Sequence, residues 1–323
     1  MGGTAIKQKF GIETKRVSTN EFHIIWNELK PMLESLFPKS EIEYVKYYHT
    51  KETHGDMDIL IRNNGTLGNV TEKIETISKY IATNSNVYSF EYKLFQIDLI
   101  LITERYWESR EFFHYDPTGN IMGKISRILG TNLGISGLQY VYRIKNSKHF
   151  INLTQNFNEI CNFLDLDYSK YNSGFENIIE IFEWCLNSKY INIDKFKFEN
   201  FNHADRKRNR RRKSYHDFLE YIEQNNIKNK FELKKDKKEY FDYIDSTFPN
   251  ANFKEEIAKY DALNERTITL SNRFNGRIVM LLTGLKDKEL EQFIRDFRKK
   301  YSDDWILNNP PYKIDSAIVN FNK

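Results

Sequence analysis

The segment Thr50-Lys51-Glu52-Thr53-His54-Gly55-Asp56-Met57-Asp58-Ile59-Leu60-Ile61 carries a glycine turn, two aspartates one residue apart and an apolar run, in that order. Successive side chains on a β-strand alternate faces, so Asp56 and Asp58 project to the same side. Two carboxylates held that close repel each other and raise each other's pKa unless a cation lies between them. Ile59, Leu60 and Ile61 read as a buried strand that holds the pair rigidly. Some forty residues on, Phe95-Gln96-Ile97-Asp98-Leu99-Ile100-Leu101-Ile102 sets a third aspartate inside another apolar strand. Packing alone does not call for a carboxylate there. Three acids converging from adjacent strands form a donor set for hard divalent cations, Mg2+ first. A Gly-Asp-x-Asp sequence by itself is a common turn; the strand after it and Asp98 at a distance make it a metal-site prediction.

The chain has 323 residues, enough for two domains and a sizeable core. No apolar run reaches the length of a membrane span, and no signal-peptide or myristoylation pattern opens the sequence. Cys161 and Cys185 are the only cysteines, which excludes a disulfide framework and a cysteine zinc site and fits a reducing, cytoplasmic setting. Net charge is a mild +4, but it is unevenly spread. Arg206-Lys207-Arg208-Asn209-Arg210-Arg211-Arg212-Lys213 holds seven positive charges in eight residues.

Residues 1–17 read as an extended lead-in. Ser18-Thr19-Asn20-Glu21 is a capping box, and Phe22, Ile25, Trp26, Leu29, Leu33 and Leu36 follow at helical spacing, with Pro31 expected to kink the helix. Glu43 to His49 reads as a strand before the turn. Ile74, Ile77 and Ile81 predict a helix, and residues 87–102 two strands. That order predicts a small α/β (α+β) domain with a mixed sheet over about 18–145. Beyond it the pattern turns helical: Ile121 to Leu129, a hairpin-like stretch at 134–143, then 157–164 and 178–186. Ser214 is the expected cap of the next helix, 225–238 and 250–266 are lysine-rich and weakly patterned, and Leu290, Phe293, Ile294 and Phe297 line a last helix. Residues 146–323 are therefore expected to form a mainly α-helical, basic domain.

The segment Val45 to Leu60 resembles the active-site motif of family X DNA polymerases, within the DNA polymerase beta nucleotidyltransferase superfamily. That family has Gly-Ser-x-Arg-Arg-x-Lys-Glu-Thr-x-Gly-Asp-x-Asp, and this chain keeps Lys51-Glu52-Thr53 and Gly55-Asp56-Met57-Asp58 at the same spacing. The stretch around Asp98 is similar to the family's third-aspartate strand. Gly119-Asn120 to Lys124, Gly130 to Arg143, and Ile160 to Asp167 resemble three later pieces, in order. The Met-Gly-Gly start, the basic run before Ser214-Tyr215, and Asn275 to Lys286 look like phage and large-virus members of the superfamily. The resemblance implies a nucleotidyltransferase palm in which Asp56, Asp58 and Asp98 hold two Mg2+ ions, with Mn2+ as a substitute. It also implies nucleotide contacts at Gly55, Asn120 and Lys124. The family's Gly-Ser is Val45-Lys46 here and its Arg-Arg is Tyr48-His49, which leaves Lys46 and His49 as candidate replacement donors.

The basic run, Arg206, Lys207, Arg208, Arg210, Arg211, Arg212 and Lys213, is a candidate nucleic-acid contact that would read backbone rather than sequence. The alternative for such a run is a solvated loop or arm. The expected function is transfer of a nucleotide from an NTP or dNTP to a DNA or RNA 3′ end, tRNA-like RNA included, with release of pyrophosphate. The chain leaves no room for the lyase and DNA-gripping domain that precedes the palm in repair polymerases, which favours end addition over gap filling. Two alternatives are a template-directed repair polymerase and an inactive nucleic-acid-binding protein.

Overall fold

The computed structural model describes residues 4–322, so the Met1-Gly2-Gly3 start lies outside the described residues. In chain order come α1 (Ala5–Phe10), β1 (Val17–Ser18), α2 (Thr19–Leu36), β2 (Ile42–Tyr44), β3 (Thr53–His54), β4 (Asp56–Asn63) and α3 (Val70–Glu75). Strands β5 (Ile81–Asn84), β6 (Val87–Tyr92) and β7 (Phe95–Thr103), a 3-10 segment (Glu104–Phe113) and α4 (Thr118–Ile128) follow. Next are β8 (Thr131–Gly134), β9 (Gly137–Ile144), β10 (Ser147–Thr154), α5 (Phe157–Phe163), α6 (Tyr168–Ser173), α7 (Ile178–Leu186), α8 (His203–Asn209), α9 (Lys213–Gln224) and α10 (Phe241–Thr247). The chain ends in α11 (Phe253–Arg273), α12 (Gly276–Thr283), α13 (Asp287–Lys300), α14 (Asp303–Asn308) and α15 (Pro311–Phe321). Among the described residues, no helix is long and apolar enough to cross a membrane.

The mixed sheet predicted from the sequence has five strands in the order β2-β4-β7-β6-β5, with β4 and β7 parallel and the other pairs antiparallel. Its two faces are set by alternation. Met57, Ile59, Ile61, Ile97 and Leu99 point to one side, fully buried against Phe22, Ile25, Leu29 and Leu33 of α2. Each such side chain contributes roughly 1.5–3 kcal/mol. The capping box holds the start of α2: the Ser18 hydroxyl accepts from Glu21 N–H at 3.2 Å, and the Glu21 carboxylate accepts from Ser18 N–H at 2.9 Å. The opposite face carries Asp56, Asp58 and Asp98 at one end. At the other, Leu60, Ile100 and Ile102 are covered by Trp107 of the 3-10 segment.

Several expectations need correction. The lead-in is not extended throughout, because Ala5–Phe10 is helical. Ile6 is fully buried, and Gly11, at φ +72°, closes the helix by donating to the Lys7 carbonyl. The strand expected over 43–49 stops at Tyr44: after Val45 donates to Asp58, His49 and Thr50 donate to the Phe175 and Glu176 carbonyls instead. Ile81 does not belong to a helix but opens β5, paired with Phe90. Ser214 is not a cap, since α9 already begins at Lys213 and the Ser214 hydroxyl donates to Asp116. Lysine-rich 253–266 lies in the 21-residue helix α11.

The chain divides into two compact units. One takes in the chain up to Val141 with Phe150–Ala251; the other is Tyr142–His149 with the chain from Asn252 on. The first unit therefore keeps helices α5 to α10 with the sheet. Its ties include His49 and Thr50 to the segment before α7, and Lys124 and Arg127 of α4 to Asp205 of α8. The second has its own core of Phe274, Val279, Phe293, Phe297, Ile306, Ile314 and Ile318, with Leu290 and Ile294 packed against it as the sequence pattern predicts.

Helix α4 contains two glycines in unlike surroundings. A Cβ on Gly119 would lie 2.4 Å from the Phe112 carbonyl oxygen, whereas one on Gly123 meets nothing closer than 3.8 Å. Gly119→Ala is therefore expected to lower stability by about 1–3 kcal/mol in urea unfolding. Gly123→Ala should leave it unchanged or raise it by up to about 1 kcal/mol through helix propensity.

Candidate metal centre

The parallel register of β4 and β7 places Asp58 directly beside Asp98, while Asp56 faces Gln96. Alternation within β4 then brings all three acids to one face, and one oxygen from each lies within 4.8 Å of the others. The three carboxylates are half-buried. Further along the same face, Leu60 and Ile100 pack against Trp107, which holds that end of the strands.

Burial raises the Asp98 pKa to about 6, with Asp56 adding to the shift and hydrogen bonds from Ser89 and Gln96 opposing it. Asp58 is pushed well above the usual carboxylate range by burial and then by Asp56, Asp98 and Asp116, with Lys51 pulling the other way. Lys51 is drawn below the ordinary lysine value by its own burial, against the attraction of Asp56, Asp116 and Asp58. The acids thus sit in a field with too little positive charge. Three hard oxygen donors at this spacing fit a divalent cation of the Mg2+ or Mn2+ type.

The side chains around the triad come from distant parts of the chain. Gln96 Nε2 donates to both oxygens of Asp98, at 2.8 and 3.1 Å. Ser89, opposite Asp98 on β6, also hydrogen-bonds it. Asp116, whose charge acts on Asp58 and Lys51, accepts from the Ser214 hydroxyl at 2.7 Å and from Arg212 at 3.3 Å. The end of the basic run is thereby tied to an acid that neighbours the triad. His54, immediately before Gly55, is buried against the Phe22 and Tyr47 rings, each at 4.3 Å. Burial and the nearby Lys51 and Arg16 hold its pKa down at about 3, so it stays neutral at physiological pH.

Of the expected nucleotide contacts, Gly55 sits between β3 and β4, directly before Asp56. Lys46 has an exposed side chain, and its backbone N–H donates to His114 Nδ1 at 3.2 Å. His49 is exposed and faces the Glu176 carboxylate at 3.3 Å. Asn120 donates to Asn209 of α8 at 2.6 Å. Lys124 is 4 % exposed, with its ammonium 3.3 Å from Asp205 and 3.5 Å from the centre of the Phe201 ring. Its charge is committed to the packing of α4 on α8. The basic run is neither loop nor arm but α8, a turn and the start of α9. Asp205 and Asn209 form its inner face, while Lys207, Arg208, Arg210 and Arg211 are exposed.

Lys51 is marked in the sequence by the Lys51-Glu52-Thr53 motif, whereas Ser89, Gln96 and Asp116 are not singled out there. Of these three, Gln96 carries a signal, since it lies two residues before Asp98 and so on the same face.

No family model and no curated protein matches the chain. Among solved structures it is similar to the polymerase beta of Leishmania infantum in a ternary P/T complex, at 15 % identity and a TM-score of 0.41. That match covers 53 % of this chain and 79 % of the other.

The raised Asp98 pKa has a definite sign for stability. Folding favours the protonated acid, so the contribution is full below about pH 4 and is lost as pH rises through about 6. In EDTA at pH 8, Asp98→Asn is therefore expected to unfold at a higher temperature than wild type, by the equivalent of about 1–3 kcal/mol. At pH 4 the difference should vanish, and at pH 8 Mg2+ is expected to raise the melting temperature of the wild type but not of the variant. Thermal melts at the two pH values, with and without Mg2+, check all three.

Proposed function

We propose that the chain is a divalent-metal-dependent nucleotidyltransferase that adds nucleotides from an NTP or dNTP to the 3′-hydroxyl of a nucleic acid. The observation that carries this reading is the convergence of Asp56, Asp58 and Asp98 on the parallel strands β4 and β7. The Lys51-Glu52-Thr53-x-Gly55-Asp56-x-Asp58 motif that leads into it supports the same reading. In the reaction, the 3′-hydroxyl oxygen bonds to the α-phosphorus as the α–β phosphoanhydride bond breaks. Pyrophosphate leaves with the bridging oxygen, and the hydroxyl proton passes to the Asp98 carboxylate. Asp56 and Asp58 would hold both cations and Asp98 the one nearer the attacking hydroxyl. Bound divalent cations would lower the pKa of that hydroxyl and neutralise the polyphosphate. Asp98 needs a fixed direction for its role, which Gln96 and Ser89 supply.

The acceptor strand runs along the exposed cations of α8 and the start of α9. This is supported by Arg212 and Ser214 reaching Asp116, whose charge acts on Asp58. Lys46, His49, Gly55 and Asn120 remain the proposed nucleotide contacts, whereas Lys124 acts structurally, through Asp205.

The deciding experiment is incorporation of each labelled NTP and dNTP with Mg2+ or Mn2+, on single-stranded DNA, gapped DNA and tRNA-like RNA. Extension of one acceptor class is expected, with Asp58→Ala lowering kcat on the order of 10^3-fold. No extension of any acceptor, with nucleic-acid binding intact, would overturn the reading. Separately, Lys207→Ala, Arg208→Ala and Arg211→Ala combined should weaken acceptor binding and make its salt dependence shallower. The slope of log K against log salt should fall by about 2–3, as counterion release at three phosphates predicts.

A further inference from the structure

Of the three acids, Asp98 is held through a side chain that also grips the start of the described chain. Gln96 is 2 % exposed, so no bulk water competes for its amide. Its Nε2 donates to both Asp98 oxygens at 2.8 and 3.1 Å, and its Oε1 accepts from the Ile6 N–H at 3.3 Å. The two ends agree on the orientation of the amide. A carboxylate only accepts and a backbone N–H only donates, so the group cannot turn over without leaving both sides unpaired. The Ile6 N–H is one of the orphan donors in the first turn of α1, and Gln96 satisfies it.

Helix α1 has six residues and is too short to persist unaided. It is held by docking: Ile6 is fully buried, Lys9 Nζ donates to the Ile81 carbonyl at 2.7 Å, and Lys15 N–H donates to the Leu94 carbonyl at 2.7 Å. These anchors lie on β5 and on the turn between β6 and β7. The helix is thus fastened to the strand beside β6 and to the turn that joins the strands of Ser89 and Asp98.

We propose that Gln96 is a positioning residue of the metal centre, and that helix α1 acts through it to set how Asp98 is presented to a divalent cation. This rests on the reading of Asp56, Asp58 and Asp98 as metal ligands. Side chains that hydrogen-bond a ligating carboxylate fix its direction, and their loss typically weakens metal binding. Gln96 does so from a buried position in which its own freedom is removed by α1. Ordering of the triad by a cation is then transmitted back along the same hydrogen bonds to residues 4–11.

The test uses the full chain and binding of the metal alone, with Mn2+ followed by its electron paramagnetic resonance signal. Gln96→Met keeps the volume and removes all three hydrogen bonds. It is expected to weaken Mn2+ binding about 10-fold or more, while the unpaired Ile6 N–H lowers the metal-free melting temperature by a few degrees without unfolding the chain. Gln96→Asn keeps an amide for the buried site but is one methylene too short to bridge Asp98 and Ile6. It should also weaken binding, and it carries the test if the Met variant fails to fold. In wild type, saturating Mg2+ should slow amide hydrogen exchange over residues 4–11, an effect that both variants should lose. A general loss of structure would not produce that selective change. Mn2+ affinity equal to wild type in the folded variants overturns the positioning role and leaves the metal centre standing. A wild type that binds no more Mn2+ than Asp98→Asn overturns the metal centre, and the positioning role with it.

Discussion

Electrostatic repulsion among three carboxylates is the constraint around which the first unit is built. At the 4.8 Å that bounds their separation, two full charges cost about 3 kcal/mol at an effective dielectric near 20. Three such pairs would total roughly 10 kcal/mol, comparable to the whole stability of an ordinary domain. The chain therefore cannot hold all three ionised without help. Raised pKa values at Asp58 and Asp98 are one relief, and the Lys51 ammonium is another. The strands tolerate the strain because their other face is locked into the α2 core and the far end of the acidic face is capped by Trp107.

The basic run obeys the same logic with the signs reversed. Seven cations in eight residues would oppose helix formation, yet α8 takes in three of them, Arg206, Lys207 and Arg208. Asn202 caps it by accepting from Asp205 N–H, and Asp205 then turns inward to meet Lys124 and Arg127. Asn209, one turn later, is fully buried and bonded to Asn120. A single inward acid and two asparagines fix the helix, so that the remaining cations project from a rigid surface. A rigid array loses less entropy on meeting phosphates than a free arm would.

How far the sequence could be read follows from how local each signal is. The triad was legible because strand alternation, the glycine before Asp56 and the apolar runs all lie within a few residues of the acids. The capping box of α2 and the apolar face of α13 were legible for the same reason. From the sequence Lys124 reads as a nucleotide contact because its partner, Asp205, lies 81 positions further on and nothing near Lys124 reveals it. Ser89 and Asp116 were invisible in the same way, each bland in its own segment. Helix α1 was missed because one buried isoleucine and one glycine cap give no periodicity, and Ile81 because its spacing from Ile77 suits a helix as well as a coincidence.

The charges around the triad also bear on how many cations it could take. Among these six groups, Asp56, Asp58, Asp98 and Asp116 outnumber Lys51 and Arg212 by about two charges when all are ionised. That residue matches one divalent ion. A second would exceed what the protein neutralises and would need negative charge brought by a ligand, such as a polyphosphate. The proposed two-ion chemistry thus assigns one ion to the protein and makes the other depend on the nucleotide. It also explains why Lys51 is kept so close to acids that a cation would bind: it limits the repulsion while the centre is empty, without cancelling the attraction that fills it.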